Sequence, residues 1–121
     1  MVELSSMFVS KDFTFDSAHF LTKYHGKCEN LHGHTYKLRI TVEGSVKEDG
    51  MVLDFKELKQ IVKDKVIERY DHQNLNDFFE NPSAELVAIK IWDYLAVALP
   101  VKLYEVTLWE TAESSVTYRG N

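Results

Sequence analysis

The sequence predicts an α+β architecture: an antiparallel sheet with two helices on one face, in the order β-β-α-α-β-β. Three observations carry that prediction. Residues 32–46 alternate, with Tyr36, Leu38, Ile40 and Val42 on one parity and Lys37, Arg39, Thr41 and Glu43 on the other, as a half-buried strand does. The period then changes, and Phe55, Leu58, Ile61, Val62 and Val66 recur at helical spacing. Beyond a second, more apolar helical stretch, residues 102–111 alternate again.

In chain order, residues 7–20 form the first strand, with Phe13, Phe15, Ser17 and His19 on one parity. Residues 21–31 are a loop holding Lys23, Tyr24, His25, Lys27 and Cys28. A connection this short makes the strand over 32–46 pair antiparallel with the first. Lys47-Glu48-Asp49-Gly50 is a polar turn. Asp54 is a good N-cap for a helix over 54–69 with one buried stripe and a Lys/Glu face. Residues 70–77 break the pattern as a loop. Asn81 as cap and Pro82 as first helical residue open the second helix, which Pro100 ends. Its apolar residues cover most of its circumference, so burial on more than one side is expected, partly by another subunit. In the strand over 102–111, Tyr104, Val106, Leu108 and Glu110 share a face, and residues 114–119 make a short last strand. Four strands leave two edges, and edge-to-edge closure into an oligomeric barrel is one way to cover them.

The 121 residues predict one domain over 1–121. Hydrophobic content of 45% and charged content of 27% are ordinary for a soluble globular protein. A net charge of −5 and a pI near 5.5 argue against a nucleic-acid partner. Lys56, Lys59, Lys63, Lys65 and Arg69 are interspersed with Glu57, Asp64 and Glu68, as on a solvated helix face. With one cysteine there is no intrachain disulfide. Met1–Ser6 lacks the basic and apolar regions of a secretory leader, and no apolar run suits a membrane span. A reducing, cytoplasmic location is expected, which leaves Cys28 free for chemistry.

The chemistry concentrates in Cys28-Glu29-Asn30-Leu31-His32-Gly33-His34. Two imidazoles two residues apart on a strand point to the same face. His19, at the facing end of the first strand, would stand beside them. Three neutral histidines without a fourth protein ligand are the pattern of a catalytic zinc with one open position. A single strand-end histidine more often satisfies a core hydrogen bond; three converging near a thiol favour a metal. Cys28 reads as a base or nucleophile, as a fourth ligand closing a structural site, or as neither. Asp71-His72 can pair a carboxylate with an imidazole and fix its tautomer, although a histidine after a helix can also simply serve its C-terminal end. Glu110 ends an apolar face. There it meets either water or a ligand offering two N–H donors, such as an aminopyrimidinone edge.

On these residues the chain resembles the 6-pyruvoyl-tetrahydropterin synthase family, including its 6-carboxy-tetrahydropterin synthase branch. The shared segments are Phe15-Asp16-Ser17-Ala18-His19, Cys28-x-x-x-His32-Gly33-His34, Asp54-Phe55-x-x-Leu58-Lys59 and Asp71-His72-x-Asn74-Leu75-Asn76. Asn81-Pro82-Ser83-x-Glu85, Glu110-Thr111 and Tyr118-Arg119-Gly120 complete them. The resemblance implies a tunnelling fold (T-fold) assembled as trimeric barrels stacked into a hexamer. It implies Zn2+ on His19, His32 and His34. It implies Cys28, Asp71 and His72 as the proton-transfer set, with the Asp-His pair reaching Cys28 across a subunit boundary, and Glu110 as the pterin anchor. The substrate would be 7,8-dihydroneopterin triphosphate.

The three residues between Cys28 and His32 resemble the carboxy branch, whose product lies on the route to queuosine. Glu29, however, also makes Glu-x-x-His-Gly-His, the mark of a branch that cleaves dihydroneopterin-type side chains for folate. Three readings follow: a carboxypterin or pyruvoylpterin synthase using Cys28, a folate-branch lyase using Glu29, or a non-catalytic zinc- and pterin-binding module with Cys28 as fourth ligand.

Overall fold

In the computed structural model, residues 5–121 are described; most of the stretch read for a leader, Met1–Leu4, lies outside them. The fold is built on two long antiparallel strands, β1 (Ser6–His19) and β2 (His32–Ser45). β4 (Lys102–Thr111) pairs antiparallel with β2, and β5 (Ser114–Tyr118) with β4. The predicted strand boundaries hold to within a residue or so. One strand was not expected: β3 (Gln73–Asn74) runs parallel to β1 at Ser17 and Ala18. The sheet order is therefore β3-β1-β2-β4-β5. Two residues of strand inside a polar stretch carry no periodicity, so the pairing was invisible in sequence.

α1 (Phe55–Val62) runs through a π turn (Lys63–Ile67) into α2 (Glu68–Tyr70), close to the expected span. Asp54 caps it, accepting the Lys56 N–H at 2.8 Å. Leu58, Val62, Val66 and Tyr70 form its buried stripe. Phe55, expected in that stripe, is exposed at the helix start.

α3 (Ala84–Ala98) begins two residues later than predicted. Ser83, not Asn81, is the cap, and its hydroxyl accepts the Leu86 N–H at 3.2 Å. Asn81 and Pro82 instead bind Thr22 and His19 at the end of β1. Val87, Ala88, Ile91 and Leu95 face the core, while Leu86, Ile89 and Val97 are exposed. Within the chain, α3 is thus buried on one side. Both helical segments cover the sheet face bearing Phe15, Tyr36, Leu38, Ile40, Val106 and Leu108.

Two irregularities in β4 re-aim side chains. A register shift opposite Thr41/Val42 turns Leu103 into the core, where parity had placed Tyr104. Tyr104 instead stacks near Phe8, with ring centroids 4.3 Å apart. A second shift leaves Glu110 out of the β4–β5 pairing, between Trp109 and Thr111. No helix among the described residues is long and apolar enough to cross a membrane.

Candidate functional site

The β1–β2 register decides the site. His19 pairs with His32, and Ser17 with His34, so all three imidazoles emerge on the covered face at the same end of the sheet. Their ring centroids lie 4.8 Å (His19–His32), 5.0 Å (His19–His34) and 4.8 Å (His32–His34) apart. One nitrogen from each falls within 4.8 Å of the others.

The backbone selects which nitrogens are free. The Pro82 carbonyl can only accept, so His19 donates to it from Nδ1 at 2.8 Å. His32 likewise donates from Nδ1 to the Asn30 carbonyl at 2.8 Å. In the neutral rings the Nε2 lone pairs are then left bare, as a metal ligand requires. The buried Nε2 atoms of His19 and His34 have no hydrogen-bond partner among the described residues. Buried polar atoms are rarely left so. The Glu110 carboxylate lies against them, one oxygen 3.7 Å from His19 Nε2 and the other 3.7 Å from His34 Nε2. An acceptor facing acceptors suits a cation held among them, and the residues fit a metal ion of the zinc type. Burial, the largest cause, holds the His34 pKa below its ordinary value of 6.5; Glu110 opposes this, and His19 and His32 add to it. A ring kept neutral is a ring able to ligate.

Tyr36 floors the cluster. It is fully buried, its ring lies 6.0 Å from that of His19 and 5.6 Å from that of His34, and burial raises its pKa. No sequence signal separated it from an ordinary core tyrosine.

Cys28 is exposed and stands outside the trio. It lines a cavity with Tyr24, Lys27, Glu29, Asn30 and His32, and its thiol donates to the Thr22 carbonyl at 3.8 Å. Glu110 lines a different cavity, with Leu21, Ser83, Glu85 and Ser115.

Asp71 and His72 are not brought to Cys28 within the chain. They lie at the outer edge of β1, where His72 joins Asp16, Ala18 and Thr35 around a third cavity. His72 Nδ1 is 3.0 Å from Asp71 Oδ2, and Asp71 Oδ1 accepts the Asp16 N–H at 2.9 Å. That backbone hydrogen bond, with His72 adding to it, lowers the Asp71 pKa. The His72 amide donates to the Asp16 carbonyl at 2.6 Å, and its φ of 59° is in the left-handed region. The pair is held on a tight loop with the imidazole in solvent.

Sequence reasoning missed the polar groups that hold these residues in place. Asn81 looked like a helix cap but accepts the Thr22 N–H at 3.0 Å. Asn76 takes both the Phe20 N–H and carbonyl, at 2.9 and 3.0 Å.

A helix-backed, mainly antiparallel sheet with three imidazoles gathered at one end is a tunnelling fold with a candidate metal site. Residues 8–121 match the 6-pyruvoyl tetrahydropterin synthase family, and the chain belongs to that family. It is 46% identical over 104 residues to a 6-pyruvoyl tetrahydrobiopterin synthase from Dictyostelium discoideum, covering 81% of this chain and 77% of that one. It is 36% identical over 137 residues to a 6-carboxy-5,6,7,8-tetrahydropterin synthase from Haemophilus influenzae, covering 92% and 97%. It is 42% identical over 105 residues to a dihydroneopterin monophosphate aldolase from Pyrococcus furiosus, covering 85% and 89%. The solved 6-pyruvoyl tetrahydropterin synthase of Caenorhabditis elegans superposes with a TM-score of 0.88 at 27% identity, over all of both chains.

Proposed function

We propose that the chain is a zinc-dependent 6-carboxy-5,6,7,8-tetrahydropterin synthase. With the addition of one water, it converts 7,8-dihydroneopterin triphosphate to 6-carboxytetrahydropterin, acetaldehyde and triphosphate. The observation that carries the reading is that Cys28 shares a cavity with His32 yet stays outside the three-histidine cluster. A fourth ligand would join that cluster; a proton carrier needs only to face it.

In this reading His19, His32 and His34 hold the zinc, which when bound polarises the substrate's side-chain hydroxyls as a Lewis acid. Cys28 moves the proton at the adjacent side-chain carbon. Glu110 receives N–H groups of the pterin edge. Asp71 holds and orients the His72 imidazole. Because that pair and Cys28 line different cavities of one chain, the reading includes a homo-oligomer, a hexamer made as a dimer of trimers. There the pair of one copy serves the thiol of the next. A reducing cytoplasm suits the free thiol.

The test is mass analysis of products from dihydroneopterin triphosphate with the zinc-loaded protein. Carboxypterin with acetaldehyde is expected; a pyruvoyl product would move the chain to the biopterin branch. No turnover, with sulfur bound to zinc by spectroscopy, would make it a binding module. The aldolase relative from Pyrococcus furiosus supports a second reading, in which Glu29 is the base and a hydroxymethyl product appears.

A further inference from the structure

β1 ends at His19, and the next three backbone N–H groups have no strand to pair with. Each is taken instead by a side-chain oxygen from a distant or looping residue. Phe20 donates to Asn76 Oδ1 at 2.9 Å, Leu21 to Glu29 Oε1 at 3.1 Å and Thr22 to Asn81 Oδ1 at 3.0 Å. All three bonds are partly buried, where an unmet N–H is costly. Glu29 therefore does for Leu21 what two asparagines do for its neighbours.

The bond is also reciprocal, since the Glu29 amide donates to the Leu21 carbonyl at 2.8 Å. Between these ends the loop closes a second time. Tyr24 and Lys27 exchange N–H···O bonds of 2.7 and 3.0 Å around His25 and Gly26, whose φ values are 50° and 81°. Two positive-φ residues in a two-residue turn make a tight hairpin tip. Cys28 sits between tip and base, adjacent to the residue that fastens the base.

We infer that Glu29 is a positioning residue: its carboxylate clasps the loop base to Leu21 and so fixes where the Cys28 thiol stands. This rests on the proposed role of Cys28. It assigns Glu29 a hydrogen-bond acceptor's work, which needs an oxygen but no ionisable proton.

The experiment compares Glu29→Gln and Glu29→Ala in the zinc-loaded full chain, reading carboxypterin formation and the rate of Cys28 alkylation by iodoacetamide. The amide oxygen of glutamine still accepts the Leu21 N–H. E29Q is therefore expected to keep kcat within about threefold of wild type, with the same alkylation rate. E29A is expected to lose about tenfold or more in kcat and to alkylate severalfold faster, with zinc content unchanged. The inference is overturned if E29Q loses as much as E29A while both alkylate at the wild-type rate, the behaviour of a proton-carrying base. If E29A does not fold, E29Q decides alone: retained turnover supports the clasp, and lost turnover with wild-type alkylation defeats it. Should Cys28→Ala keep full turnover, the reading of Cys28 fails separately, and the alkylation rates still judge the clasp.

Discussion

His19 faces His32 across the last rung of the β1–β2 ladder, so the closeness of these two imidazoles is a property of strand register. A slip of one residue would send His32 and His34 to the open face and place Gly33 where an imidazole must be. The fully buried Tyr36, Leu38 and Ile40, on the parity of His32 and His34, hold that register through the cost of exposing them.

The first prediction concerns metal content. His34→Ala should drop tightly bound zinc from about one per chain to well below that, because two imidazoles are too few ligands for a stable site. Cys28→Ala should leave zinc at about one per chain. Elemental analysis after dialysis reads both, and loss of zinc from the cysteine variant would make the thiol a ligand.

Cys28→Ala should also lower kcat by about 10²–10⁴, the range for loss of a positioned proton carrier. Substrate affinity should change little. Single-turnover product formation with zinc-loaded protein is the measurement.

Much of this site was legible because strand parity is a strict rule: Phe15, Ser17 and His19 on β1, and His32, His34 and Tyr36 on β2, follow it without exception. Glu110 was visible as a carboxylate on an apolar face. Parity failed at Tyr104 because a bulge adds a residue and swaps the faces, and no residue type announces that bulge. The start of α3 was misplaced because Asn81 and Pro82 suit a helix start on local grounds. Tertiary contacts claimed them first, Asn81 for Thr22 and the Pro82 carbonyl for His19. The same limit hid Asn76 and the second use of Glu29. These are long-range bonds to irregular backbone, which has no period to read.

Glu110→Gln tests the pterin anchor. Replacing a charged acceptor with an amide should weaken pterin binding by about 10- to 100-fold, the equivalent of roughly 1.5–3 kcal/mol for a hydrogen bond to a charged group. Zinc content should hold, since three histidines remain. Calorimetric titration with a reduced pterin checks the first, and elemental analysis the second. Joint loss of metal and pterin affinity would mean that the carboxylate, 3.7 Å from two of the imidazoles, serves the ion instead.

The last prediction is a pH dependence of the metal-free protein. Burial holds the His34 pKa below 6.5 in the folded state. The unfolded chain therefore takes up this proton at a higher pH than the native one does. Where the unfolded state binds more protons, stability rises with pH. The contribution of His34 is fully present above about pH 6.5 and is lost as pH falls through the lower native value. The urea midpoint should thus hold steady from pH 8 to about 7 and decline below 6.5. His34→Gln removes the titrating group while keeping a polar side chain, so its midpoint should decline less over the same range. Equal slopes for the two proteins would show that other groups govern the acid limb. In the zinc-loaded protein the decline should begin at lower pH, since protonation must first displace the metal.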